Sequence, residues 1–168
     1  MEPEETSGRR RWRWVVEVAI VLGIVIAIRY GQTSGLPTGA MPVASLTSLE
    51  GAPLALGAHE HGYVLHFFAT WCSVCRAEEG NVSALARDHD VIVVASQSGG
   101  ADPVREYTSH AGLDASRVAL DPDGSIAQRF GVRAFPTTFY VGSDGAIRTA
   151  EVGYTTELGM RLRAWLFR

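Results

Sequence analysis

The sequence predicts an α/β protein, a mixed central sheet covered by helices on both faces, preceded by one N-terminal transmembrane helix. Three observations predict it. Short apolar runs, YVLHFF at residues 63–68 and VIVVA at 91–95, alternate with segments of helical spacing. TTFYV at 137–141 and residues 146–152 flank Gly142-Ser143-Asp144-Gly145, which is β-hairpin chemistry. An apolar stretch over residues 15–28, broken only by Glu17, follows an Arg/Trp-rich start. With 168 residues, 46% of them hydrophobic, the chain can bury one domain core and carry a short appendage.

The appendage comes first. Residues 9–14 read Arg-Arg-Arg-Trp-Arg-Trp. A helix over residues 12–30 spans about 28 Å, close to a ~30 Å hydrocarbon core. Its aromatic residues fall in the headgroup belts, Arg29 snorkels outward, and Glu17 lies near one end, where a charge costs least. Arginines at 9, 10, 11 and 13 against Arg29 just after the span put residues 1–11 in the cytoplasm and the rest across the membrane. A cleaved signal peptide fits in length, but Arg29 and Tyr30 follow the apolar run directly and no A-x-A-like site is near. The reading is therefore an uncleaved signal anchor, with the remainder outside the cytoplasm.

Residues 31–45 (GQTSGLPTGAMPVAS) read as a linker, and the folded domain is placed at 46–168. Leu54-Ala55-Leu56 is a short first strand, and 63–68 a buried one. Residues 76–88 read as helix with Ala77, Val82, Leu85 and Ala86 on its apolar side, and Gly80 marks a bend. After the strand at 91–95, a helix over 102–110 is expected to start with an Asp102 cap and Pro103 at its first position. Val118-Ala119-Leu120 is a short strand, Asp121-Pro122-Asp123-Gly124 a turn, and 125–130 a short helix. After the hairpin, a last helix starts near Thr155. Its Leu158, Leu162, Trp165 and Leu166 are spaced for core packing.

Cys72 and Cys75 in Trp71-Cys72-Ser73-Val74-Cys75 are the only cysteines. They stand where an apolar strand ends and a helix begins. A thiol there meets unpaired backbone N–H groups that favour its thiolate. The second lies about one turn on, placed to resolve a mixed disulfide. A structural zinc site needs about four ligands at set spacings, and the chain has no further cysteine to supply them. A bridge enclosing two residues restrains the unfolded chain little. Redox chemistry is the reading. A net charge of −3, with no basic cluster beyond the N-terminus, gives nucleic-acid binding no support.

ATWCSVCRAEE, DPDGSIAQRFGV and GVRAFPTTFYVGSDG, in this order, resemble thioredoxin-fold proteins. More narrowly, the chain resembles the membrane-anchored TlpA/ResA/DsbE type, including its ScsD-like branch. The pattern F-x-A-T-W-C-x-x-C-x-x-E matches Phe67 to Glu78. The resemblance implies a thioredoxin-like domain and a protein-disulfide oxidoreductase, with Cys72 the exposed nucleophile and Cys75 the buried resolving thiol. Pro136 matches the cis-proline facing the disulfide, which frees the Phe135 backbone to pair with an extended substrate. Trp71, Phe135 and Thr137 are implied substrate contacts. Glu78 matches an active-site glutamate that exchanges protons with the dithiol; the alternative is a solvated acid like Glu79. His66 occupies the place of thioredoxin's buried aspartate, as a proton relay to Cys75 or as a satisfied core histidine. Ser73-Val74 between the cysteines matches no relative whose potential could be transferred.

The resemblance further implies protein substrates with disulfides and a membrane-embedded electron donor of the DsbD/CcdA/ScsB type. The work expected is reductive: cytochrome c maturation, disulfide rescue or copper-stress tolerance. No flavin, nicotinamide or metal cofactor is implied, because the cysteines are the redox centre. The alternative is a copper-binding assembly factor on the same fold, but such proteins use C-x-x-x-C, one residue longer. A peroxiredoxin needs T-x-x-C, and Ala69 stands three before Cys72.

Overall fold

The computed structural model describes the backbone of residues 5–167 and the side chains of 11–28 and 30–167. The expected cytoplasmic start, residues 1–11, and the snorkelling side chain of Arg29 therefore lie largely outside the described residues. The chain divides into two compact units, Met1–Gly35 and Leu36–Arg168.

The first unit is one helix, α1 (Glu5–Thr33). Its apolar part, Arg11–Thr33, has 23 residues and is long and apolar enough to cross a membrane. At 1.5 Å per residue it measures about 34 Å. Its Val, Ile, Leu and Trp side chains are exposed throughout.

The second unit holds a small hairpin, β1 (Ser45–Thr47) and β2 (Pro53–Ala55), and then β3 (Tyr63–Phe68), α2 (Ser73–Ala86), β4 (Val91–Ser96) and α3 (Ala101–Ala111). After a 3₁₀ turn at Ala115–Arg117 come β5 (Val118–Asp121), α4 (Ser125–Arg129), β6 (Thr137–Val141), β7 (Ile147–Val152) and α5 (Glu157–Leu166). The five-stranded sheet has the order β5-β4-β3-β6-β7, with β3, β4 and β5 parallel and β6 and β7 antiparallel. This is the mixed sheet the sequence predicts, in a thioredoxin-like fold.

Every residue of β3 and β4 is buried, because both faces are covered, so these strands read as unbroken apolar runs. Val64, Phe68, Val93, Ala95 and Tyr140 join Val82 and Leu85 of α2, Val104 of α3 and Met160 of α5. Leu65, Phe67, Ile92, Val94 and Phe139 of the other face join Leu46 and Leu54 of the hairpin and Ala127 of α4. There the rings of Phe67, Phe130 and Phe139 lie 5.1–5.7 Å apart. Asp121 fixes α4 against the sheet edge. Its carboxylate accepts from the Ile126 and Ala127 amides and from Ser96 Oγ, at 2.8–3.0 Å.

Four local expectations change. The folded unit begins at Leu36, not at residue 46. Leu36, Met41 and Val43 pack on the phenylalanine face, and Gly39 exchanges two backbone hydrogen bonds with Ile147, at 2.8 and 2.7 Å. The strand expected first, at 54–56, is Pro53–Ala55 and comes second: it pairs antiparallel with β1, which begins at the last residue of the expected linker. α3 is capped by Gly100 with no side-chain hydrogen bond, so Asp102 lies in its first turn. Helix α2 runs through Gly80 without interruption.

A fifth change is the largest. Leu158, Leu162, Trp165 and Leu166 do not enter the core; they are exposed. α5 presents Met160, Ala164 and Phe167 to the sheet instead. Two apolar stripes share this helix, and only the one carrying Met160 packs with Val82 and Leu85 of α2 in the core.

Candidate active site

The dithiol is built at the junction of β3 and α2. Cys72 is the N-cap of α2, with extended backbone (φ −79°, ψ 115°). Its Sγ takes the place usually held by a Ser or Asp oxygen and accepts from the Cys75 amide at 3.2 Å. A helix-end donor therefore points at this sulfur. Both cysteines are free thiols. Cys72 shows 7% of its surface and Cys75 2%. The expected exposed nucleophile is thus only a narrow opening, although it is the more open of the two. Burial first, then the contact with Cys72 and the charges of Cys72 and Glu78, push the Cys75 thiol far above its ordinary pKa.

Phe135 and Pro136 arrive from the loop before β6. Their peptide bond is cis. The Phe135 carbonyl accepts from the Cys72 thiol at 3.6 Å, so this loop faces the sulfur as the resemblance implied. Trp71 stands in solvent beside it. Its indole N–H donates to the Gln97 carbonyl at 2.9 Å, and its ring meets Phe135 edge-on, with centroids 5.9 Å apart. Gln97 holds that carbonyl in place with left-handed backbone (φ 50°), uncommon for a side chain of its size. Thr137, expected as a substrate contact, is fully buried; its hydroxyl donates to the Ala134 carbonyl at 2.8 Å. Its side chain closes the loop and is turned away from solvent.

Glu78 is fully buried, unlike its half-buried neighbour Glu79. One carboxyl oxygen accepts from the Thr155 amide at 2.5 Å, and the other has no hydrogen-bond partner among the described residues. Burial raises its pKa to about 7; the Thr155 hydrogen bond opposes the shift and the charge of Glu151 adds to it. Such a carboxyl is half-ionised near neutrality. The solvated-acid alternative does not describe it.

His66 is buried on the β3 face that also carries Val64 and Phe68. Its Nδ1 lies 2.9 Å from Thr138 Oγ1, directly across on β6. Burial lowers its pKa to about 4, so it is neutral at physiological pH. Its hydrogen bond goes to threonine rather than to a sulfur, which matches the satisfied core residue.

Sequence reasoning missed Thr155, Glu151, Gln97 and Tyr107. Tyr107 of α3 stacks on Phe68 with centroids 4.8 Å apart. Glu151 accepts from the Tyr140 hydroxyl at 3.1 Å and pairs with Arg163 at 2.8 Å, behind Glu78. No local motif marks any of these four. Among the described residues no group of three or more His, Cys, Asp or Glu is placed to hold a metal ion.

Relatives share this architecture. CycY of Rhizobium leguminosarum bv. viciae, a thiol:disulfide interchange protein, is 29% identical over 99 residues, covering 58% of this chain and 53% of its own. DsbE of Pseudomonas fluorescens biotype C, also a thiol:disulfide interchange protein, is 25% identical over 161 residues and 90% of each chain. The chain spans about half the length of the first of these relatives. The crystal structure of a thiol:disulfide interchange protein of the thioredoxin family from Chlorobium tepidum superposes with a TM-score of 0.64 at 21% identity, covering 78% of this chain and 96% of that one. The Redoxin family profile matches residues 37–161, which takes in the hairpin, the dithiol, the cis-proline loop and α5 up to Arg161, and so this chain belongs to the Redoxin family.

Proposed function

We propose that this chain is a membrane-tethered, extracytoplasmic thiol–disulfide oxidoreductase that reduces disulfides in protein substrates. The observation that carries the reading is the Cys72 sulfur, held at the start of α2 by the Cys75 amide and faced by the Phe135 carbonyl. An attacking thiol, a resolving thiol and a backbone edge for an extended substrate meet at one point.

The exchange runs in two steps. Cys72 thiolate attacks one sulfur of a substrate disulfide; a Cys72–substrate bond forms, the substrate bond breaks, and one substrate thiolate leaves. Cys75 then gives its proton to ionised Glu78 and attacks Cys72. The mixed bond breaks, the second substrate thiolate leaves, and the Cys72–Cys75 disulfide remains. Two electrons have passed to the substrate. A membrane-embedded reductase of the DsbD/CcdA/ScsB type returns them. Trp71 and the Phe135 ring flank the opening and contact the substrate. Burial of Cys75, with a smaller addition from the Glu78 charge, disfavours its thiolate and so favours the disulfide form, the direction of a reductant. Cytochrome c maturation, rescue of misoxidised proteins and copper-stress tolerance are the processes such a reductant serves.

The length and apolar surface of α1 support a membrane span, Arg29 and Tyr30 directly after the apolar run, with no A-x-A-like site near, favour an uncleaved one, and dithiol exchange is productive outside the cytoplasm. Cys75→Ser tests the roles of the two sulfurs. Expressed as the full chain, it is expected to accumulate mixed disulfides through Cys72, seen as adducts that collapse with reductant. If Cys75→Ser leaves no adducts while Cys72→Ser does, the assignment is reversed.

A further inference from the structure

The outer face of α5 serves no purpose in the chemistry above. Leu158, Leu162, Trp165 and Leu166 are 77%, 58%, 64% and 60% exposed. Their spacing puts all four in one stripe about 100° wide, opposite the side on which Met160, Ala164 and Phe167 meet the core. Arg161 and Arg163 flank the stripe on its two sides. Their guanidinium groups are turned to carboxylates at the rim, Arg161 to Asp88 and Glu157, Arg163 to Glu151, each at 2.8 Å. An unpaired apolar face of this kind needs a cover.

Two observations identify the cover. Only Ser34 and Gly35 separate the end of α1 at Thr33 from Leu36, where the folded unit begins. Two residues reach at most about 7 Å. A domain tethered this closely to a membrane-spanning helix meets lipid at high effective concentration, without any partner. The second observation is size. Residues 158–166 form a ridge about 13 Å long and one helix wide, about 130 Å² in projection. A stable protein partner needs about 800 Å² per side, so a second copy is a poor occupant. A lipid surface sets no such minimum. It accepts a short helix that offers Leu and Trp to the acyl boundary.

We propose that α5 is an in-plane membrane-docking helix, seating Leu158, Leu162, Trp165 and Leu166 in the headgroup–acyl boundary of the leaflet to which the domain is tethered. The proposal rests on α1 being an anchor. It gives the domain a second attachment and restricts its rotation about the tether.

The test uses the full chain reconstituted into phosphatidylethanolamine/phosphatidylglycerol vesicles, with and without brominated acyl chains. Emission of the wild type minus that of Trp165→Phe isolates Trp165 from Trp12, Trp14 and Trp71. Brominated lipid is expected to remove most of the Trp165 emission, while aqueous acrylamide leaves it nearly unchanged. The double variant Leu158→Ser, Leu162→Ser is expected to reverse both results while keeping its rate of dithiol exchange with a soluble disulfide reporter. Retention of the chain through an alkaline carbonate wash, with Trp165 open to acrylamide, overturns the proposal and leaves the anchor standing. Shielding of Trp165 from both quenchers overturns it in favour of a protein partner. Release of the chain by the wash overturns the anchor and the proposal together.

Discussion

The two faces of the central sheet are made of different materials. The face under the hairpin and α4 is mostly hydrocarbon: Leu65, Ile92, Val94 and a triad of phenylalanines, with its few buried polar groups tied off, Asp121 to Ser96, and the Thr137 and Tyr63 hydroxyls to backbone carbonyls. The face under α2, α3 and α5 buries Cys75, Glu78, His66, Thr138 and Tyr140 among its apolar residues. His66, Thr138 and Glu151 follow one another across β3, β6 and β7 in direct register. One face carries the stability, and the other accepts desolvated polar groups because its chemistry needs them. A buried carboxyl with one unpartnered oxygen is tolerated only where the rest of the fold supplies a surplus.

Phe139→Ala breaks that division from the stable side. Phe139 is fully buried and touches two other rings. Its truncation is expected to cost about 3–5 kcal/mol of folding stability in denaturant titrations. The pH profile of Cys72 alkylation should not move. A large change in thiol reactivity would show that the two faces are coupled, and the division would fail.

How far each face was legible from sequence follows from where its partners lie in the chain. Cys72 and the amide that holds its sulfur are three residues apart, so the dithiol was visible as a local motif. The groups that complete the site come from further away: Gln97 lies 26 residues from Trp71, Phe135 63 from Cys72, and Thr155 77 from Glu78. Phe135 was found only because its Pro-containing motif is itself distinctive. Thr155 has no such mark. Residues 36–44 read as linker because they sit in a run, 31–45, rich in Gly, Thr, Ser and Pro, yet Leu36, Met41 and Val43 supply enough apolar surface to dock. α5 failed for another reason. Helical periodicity reports that a stripe exists and not which of two stripes the tertiary packing buries.

Glu78→Gln sharpens the comparison from the reactive side, with a smaller effect. The folded pKa of Glu78, about 7, lies above its ordinary value near 4.5. Folding therefore favours the protonated carboxyl. Below about pH 4.5 Glu78 is protonated in both states and costs nothing. As pH rises toward 7 the unfolded chain loses this proton and the folded one keeps it, so stability falls. Above about pH 7 the full cost applies, at most about 3 kcal/mol. Glu78→Gln is expected to flatten the stability–pH curve over this window. A curve that keeps its slope would place the titrating group elsewhere.

The smallest expected effect belongs to Glu151, which no substrate touches. Its charge adds to the rise in the Glu78 pKa, and Arg163 is its ion partner. In Glu151→Gln the like charge disappears while Arg163 stays, and both changes favour ionised Glu78. The Glu78 midpoint should fall by under about one pH unit, roughly 1 kcal/mol. Carboxyl ¹³C shifts of Glu78 would resolve that change even where stability does not. The direction matters more than the size. A midpoint that rises would mean that Glu151 acts by holding Tyr140 and Thr155, to which it is hydrogen-bonded at 3.1 and 3.4 Å, rather than by its charge. The polar row under α2 would then be a scaffold for the Thr155 amide, and burial alone would set the proton affinity of Glu78.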